Sequence, residues 1–298
     1  MYEEENEEGL LGDEEILFEF AQDSGWIARC SLGLVGSLQP VLFTLLLKYL
    51  FSGLISELQL HITLIFSGLM VLGTRNDYGS QICTYIALTA APLCFKILLR
   101  KHFGFIMLFY SIGMLLVWQH VFEAEKFMTM RGILMIVVMK ITSLSFDLAS
   151  EKHVNIPLLH LCSYLLDGST VIFGPWITYK QYKESLILKE YKVEITGVFR
   201  ALAFVAASLL YLIYSSCIID SYVDWPYLGS FFVAQSFRFN HYFVSWLSAG
   251  TSMLGGVDSG VVADWIRIEW PRSLVDVVVS WNIPMHLFLH HCTLDAIV

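Results

Sequence analysis

Three side chains near the end of the chain stand where chemistry can be done: Asn282, His286 and His290, in the stretch Ser280 to His291 that reads SWNIPMHLFLHH. Their four-residue spacing places them on one face of a continuous helix. Between them Pro284 removes a backbone donor and leaves the carbonyl of Ser280 free for another partner. Arg272 and Asp276, also four apart, suit a pair on one face of the helix expected after Pro271, with Ser280 one turn further on. An amide can orient a carbonyl or a hydroxyl without changing charge, and two imidazoles at that spacing can ligate a metal.

What must position them is a membrane bundle. The chain has 298 residues, 56% hydrophobic and 14% aromatic, with a mean hydropathy of +0.62, well outside the soluble range. Ala201 to Ile219 carries no Asp, Glu, Lys or Arg and is long enough to cross about 30 Å of hydrocarbon. Cys30 to Leu47, Leu58 to Thr74, Tyr78 to Phe95, Phe103 to Phe122, Phe239 to Val257 and Val277 to Leu294 follow the same pattern. Continuous apolar runs exclude a spanning barrel, whose segments alternate. The expectation is therefore an all-α polytopic membrane protein of roughly 8–10 membrane segments.

Charge divides the chain in two. Ten carboxylates and no base lie in Met1 to Asp23, so the net charge of −9 belongs to an acidic tail over residues 1–25; the remainder, 26–298, is one nearly neutral membrane domain. Block charge favours a solvated cap, and without a basic leader the first membrane helix must itself direct insertion. The six cysteines form no C-x-x-C pair, which indicates neither a disulfide framework nor a zinc site.

Two basic connections, Lys96, Arg100 and Lys101, and Lys180, Lys183, Lys189 and Lys192, are both cytosolic candidates. Three simple crossings between them would put them on opposite sides. The segment expected to break that count is Asn155 to Tyr179, with Pro157, Asp167-Gly168 and Gly174-Pro175 in one apolar run. It forms either a re-entrant loop around an internal site or two short helices with a turn. Lys140, Asp147, Asp167, Arg238, Arg272, Asp276 and Asn282 lie within or beside membrane runs, where an ionisable group costs roughly 2.5–3.5 kcal/mol, so they are expected to face a cavity or one another.

Four stretches carry a family resemblance: MRGILMIVVMKITSLSFDL (Met130 to Leu148), TVIFGPWITYKQY (Thr170 to Tyr182), AQSFRFNHYFVSWLSAGTSMLGG (Ala234 to Gly256) and WPRSLVDVVVSWNIPM (Trp270 to Met285). Together they resemble the membrane-bound O-acyltransferase (MBOAT) family, in the branch that attaches palmitoleoyl to a serine of Wnt proteins. The resemblance implies a multi-pass protein of the endoplasmic reticulum membrane. Fatty acyl-CoA, palmitoleoyl-CoA in this branch, would be co-substrate; no further cofactor and no metal is implied.

It assigns Asn282 to the catalytic centre, Trp281, Pro284 and Met285 to the acyl or CoA passage, and Arg272 and Lys140 to phosphate contacts. The family's histidine base lies some tens of residues beyond the SWN segment, and this chain ends at Val298. The expectation is thus a bundle lacking the last family helices and an inactive chain as given. Competing readings are a non-catalytic membrane protein that binds lipid or Wnt, a transporter or receptor whose polar residues line a path, and an iron desaturase or hydroxylase built on His286 and His290. The last lacks the further histidine boxes a two-iron site needs, since the other six histidines never fall three or four apart.

Overall fold

The computed structural model describes residues 56–73, 78–94, 102–150, 156–172, 174–187, 195–215, 227–257 and 260–297. The acidic tail, the run from Cys30 to Leu47, Lys96, Arg100 and Lys101, and Lys189 and Lys192 lie outside them. All described elements are helical: α1 Glu57–Gly73, α2 Gly79–Cys94, α3 Phe103–Val121, α4 Ala124–Ser150, α5 Leu158–Leu165, α6 Tyr179–Ile187, α7 Ile195–Ile213, α8 Gly229–Leu254, α9 Trp265–Glu269, α10 Leu274–Trp281 and α11 Ile283–Ile297. This is the all-α polytopic membrane architecture that the apolar runs predict.

Local chemistry sets several of the starts. Ser56 and Gln59 form a reciprocal capping box on α1, with Ser56 N–H donating to Gln59 Oε1 at 3.0 Å, and Thr178 and Gln181 do the same on α6. Asp264 and Ser273 cap α9 and α10 by accepting from Arg267 and Asp276 N–H.

α4 is the central element, packed against α2, α3, α5 and α11. Its buried positions Met130, Leu134, Val137, Ile141 and Leu144 recur every three or four residues, the stripe a packed helix needs. From Lys140 to Phe146 it is buried on every side. α3 turns Phe103, Met107 and Ser111 inward and exposes Phe105, Phe109, Leu116 and Val117. An unbroken apolar face of that kind matches hydrocarbon. Among the described residues, α3 and α4 are long and apolar enough to cross a membrane, and Glu57–Gly73 and Phe199–Ile213 are shorter apolar helices.

α7 and α8 form a second close pair. A side chain at Gly250 would press on Val205 and the Ala201 carbonyl, so only glycine lets these backbones approach so nearly. α8 begins ten residues before the charge-free run from Phe239 and takes in Arg238, whose charge is paired with Glu269 of α9 at 3.1 Å.

The broken apolar segment contains two short helices, α5 and α6, joined by a long connection whose described residues, 166–172 and 174–178, are irregular. Of the irregular stretch, residues 167–171 and 174–177 are buried, so protein, rather than lipid, surrounds the non-helical backbone. Gly68 on α1 permits this, because any Cβ there would collide with the Leu166 carbonyl.

Candidate functional site

The site begins with a chain break and the accounting of its backbone groups. α10 stops at Trp281, Asn282 is extended (φ −145°, ψ 85°), and α11 starts at Ile283. Pro284 has no N–H, so the Ser280 carbonyl loses its helical donor. The irregular chain between α8 and α9 replaces it: Asp264 N–H donates to Ser280 O at 3.1 Å, and Ile283 N–H donates to Val262 O at 3.0 Å. The spare carbonyl expected from Pro284 therefore exists, and its partner is backbone.

The next carbonyl, Trp281 O, accepts from His241 Nε2 at 2.7 Å. A carbonyl can only accept, so Nε2 carries the proton and Nδ1 of the neutral ring holds the lone pair. The His241 ring stacks on the Trp281 indole, with centroids 4.2 Å apart and planes 2° from parallel. Sequence reasoning missed His241: it is forty residues upstream, and no local spacing ties it to Trp281.

Asn282 caps α11. Its Oδ1 accepts from Met285 N–H at 3.0 Å, which fixes the oxygen on the helix side and leaves the two Nδ2 hydrogens outward on an exposed side chain. Pro284 is buried beneath it, and Trp281 and Met285 are half-buried beside it. The four SWN-segment residues of the sequence reading thus meet at one break.

Two expectations need correction, and a third is refined. Asn282 is the cap of α11 rather than a residue within it, and its carbonyl accepts from His286 N–H at 3.1 Å, so it stands one turn before His286. The two histidines do lie together, rings 6.5 Å apart, on exposed positions. Arg272 is exposed and precedes the Ser273 cap, so it stands outside α10 and its spacing to Asp276 is not helical. Lys140, expected to meet phosphate, is 1% exposed. Its Nζ donates to Tyr164 O at 3.0 Å, at the end of α5, and to Thr170 Oγ1 at 2.8 Å, in the irregular segment; phosphate contact would require it to leave those partners.

Several of the other polar groups of the apolar runs are paired within the protein, while Asp167 Oδ2 is buried with no hydrogen-bond partner among the described residues. Asp167 accepts at Oδ1 from Ser169 N–H and Oγ–H, Asp147 pairs with His291 at 2.8 Å, and Glu269 takes both Arg238 and the Tyr242 hydroxyl, the latter at 2.7 Å.

No protein-family model matches the chain. Among curated proteins it is similar to the protein-serine O-palmitoleoyltransferase porcupine of Anopheles gambiae, 30% identical over 225 residues that cover 62% of this chain and 44% of that protein. The human porcupine is 29% identical over 246 residues, 67% of this chain and 51% of its own. The Drosophila melanogaster porcupine is 31% identical over 195 residues, 59% and 36%. The chain spans about half the length of the curated relatives it matches.

Proposed function

We propose that the chain serves the serine O-palmitoleoylation of Wnt proteins in the endoplasmic reticulum membrane, with palmitoleoyl-CoA as donor. The observation that carries this reading is the break at Asn282 to Pro284. Its backbone groups are satisfied by Asp264, Val262 and His241, so the Asn282 amide is held by its cap while its N–H donors face outward. A rigid, uncharged donor suits the carbonyl oxygen of a thioester as negative charge develops on it. Trp281, Pro284 and Met285 wall the acyl passage beside it, and the exposed guanidinium of Arg272 receives the CoA phosphates. The acceptor serine loses its proton to a base; His241 Nδ1 is a nitrogen lone pair at the same break.

Asn282→Asp separates the two duties of Asn282, since a carboxylate still caps the helix but donates nothing. The test uses microsomes carrying this chain, a photoreactive palmitoleoyl-CoA analogue and a Wnt-derived serine peptide. Labelling competed by palmitoleoyl-CoA is expected even without the family's histidine base, and any transfer the chain performs is expected to fall about 100-fold in Asn282→Asp. Undiminished transfer in that variant, or the absence of both labelling and transfer, overturns the reading.

A further inference from the structure

A second polar cluster lies at the junction of α1 and α5 and does not touch the break at Asn282. His61 is on the second turn of α1 and is 1% exposed. Its Nδ1 lies 2.7 Å from Ser163 Oγ. Ser163 has one hydroxyl hydrogen, and that hydrogen goes to the His160 carbonyl at 3.0 Å. The Tyr182 hydroxyl also reaches Ser163 Oγ, at 2.8 Å. With that hydrogen on the His160 carbonyl, Ser163 accepts from the other two, Tyr182 donating O–H and His61 donating Nδ1–H in the tautomer that matches this arrangement.

In that tautomer His61 Nε2 carries the lone pair, and the atom is buried with no hydrogen-bond partner among the described residues. A bare acceptor in a dry place is costly and asks for a partner. The groups beside it are another imidazole and a carboxylate. The His160 ring lies over His61 with centroids 3.9 Å apart, and Glu57 is one turn before His61 on α1. One ligand atom from each of the three lies within 4.8 Å of the others.

We propose that Glu57, His61 and His160 form a binding site for a divalent transition-metal ion, with zinc the ion their chemistry favours. Two imidazoles and one carboxylate make a borderline set that suits zinc over the hard cations calcium and magnesium, which take oxygen ligands. The Nδ1–H of His61 held by Ser163 is the arrangement a metal-bound imidazole needs, because it fixes the tautomer and turns Nε2 to the ion.

Zinc–nitrogen bonds of about 2.0–2.1 Å put tetrahedral ligand atoms roughly 3.3 Å apart. Closing from 4.8 Å falls to Glu57, which is exposed, and His160, which is half-buried, while His61 stays anchored. Three protein ligands leave one position for water or a further ligand, reached past Glu57. The ion ties α1 to α5, the helix that leads into the buried irregular segment. No local spacing announces the site, since Glu57 and His61 sit on one helix and His160 is 99 residues further along.

The experiment is a titration of the full chain, purified in detergent and freed of metal, with cobalt(II) as a spectroscopic probe and then zinc(II). One ion per chain is expected, with cobalt absorption typical of tetrahedral nitrogen and oxygen ligation and its displacement by zinc. His61 is a core residue whose removal can unfold the bundle, so the deciding variant is His160→Ala at a half-buried position. Loss of a ligand there is expected to weaken zinc by more than about 100-fold, and Ser163→Ala, which removes the hold on His61, by about 10- to 100-fold. A double variant His286→Ala with His290→Ala is expected to bind as the wild type does. The proposal is overturned if the wild-type chain binds no ion, if His160→Ala binds zinc as tightly as wild type, or if the histidines of α11 carry the binding instead.

Discussion

The two helix breaks of this protein carry similar sequence signals and have opposite outcomes. The segment 166–178 combines Gly168, Gly174 and Pro175, and its polar groups turn inward. Lys140 holds Tyr164 O and Thr170, Tyr164 donates to Ile177 O at 2.7 Å, and Trp176 donates to Ser143 at 3.0 Å. The break at Asn282 combines asparagine with Pro284 and turns an amide outward. At both breaks several of the lost helical bonds have substitutes among the described residues. The difference lies in what supplies the substitute. In the first it is a buried charge and side-chain hydroxyls, which seal the segment. In the second it is mostly neighbouring backbone, one imidazole and the side-chain carbonyl oxygen of Asn282, which leaves the exposed Asn282 Nδ2 outside these bonds.

The sharpest way to break this comparison is at Lys140. Lys140→Ala leaves Tyr164 O, Thr170 and the nearby Asp167 without their cation, and is expected to cost about 3–5 kcal/mol in thermal unfolding of the detergent-solubilised protein. Lys140→Met, which keeps the volume, should lose less than alanine only by packing. A cost below about 1 kcal/mol for alanine would show that the irregular segment is held by something else.

At the other break the expected effects are smaller. His241→Ala orphans the Trp281 carbonyl and removes the stacked ring, for about 1–3 kcal/mol, and His241→Gln, which restores an N–H donor, should recover part of it. If alanine is neutral, water or another donor already serves Trp281 O. Asn282→Ala is expected to cost about 1 kcal/mol through the lost cap, while Asn282→Asp keeps stability near wild type and loses acyl transfer. Equal activity in the aspartate variant would reduce Asn282 to a cap. Least of all, His286→Ala with His290→Ala should stay within about 0.5 kcal/mol of wild type, because both are exposed on α11.

Much of the bundle is legible in the sequence. α2 matches the charge-free run Tyr78 to Phe95 within a residue at each end, and α3 matches Phe103 to Phe122, since a membrane helix is written as uninterrupted apolar length. The disturbance at Pro284 is legible too, because proline cannot continue the ladder, but the full break at Asn282 is not, since the spacing reads as one continuous helix. The start of α8 is not: Arg238 reads as a boundary until Glu269, 31 residues later, pairs with it. The site divides in the same way. Asn282, Trp281, Pro284 and Met285 are neighbours in sequence and stay neighbours in space, whereas His241 and the pairing of Asp264 with Ser280 depend on how α8 and the chain after it return to the break. Lys140 misled for a related reason, as a lone lysine in an apolar run looks the same whether it reaches phosphate or a buried carbonyl.

By itself the sequence determined that the chain is a helical membrane protein, where its helices are interrupted, and which amide stands at the last interruption, because hydropathy and the missing N–H of proline are properties of local covalent structure. Only the tertiary structure decided which interruption is sealed and which stays open, and it alone gathered Glu57, His61 and His160. Hydrogen bonds and ion pairs between distant helices depend on packing, and the order of residues along the chain does not record it.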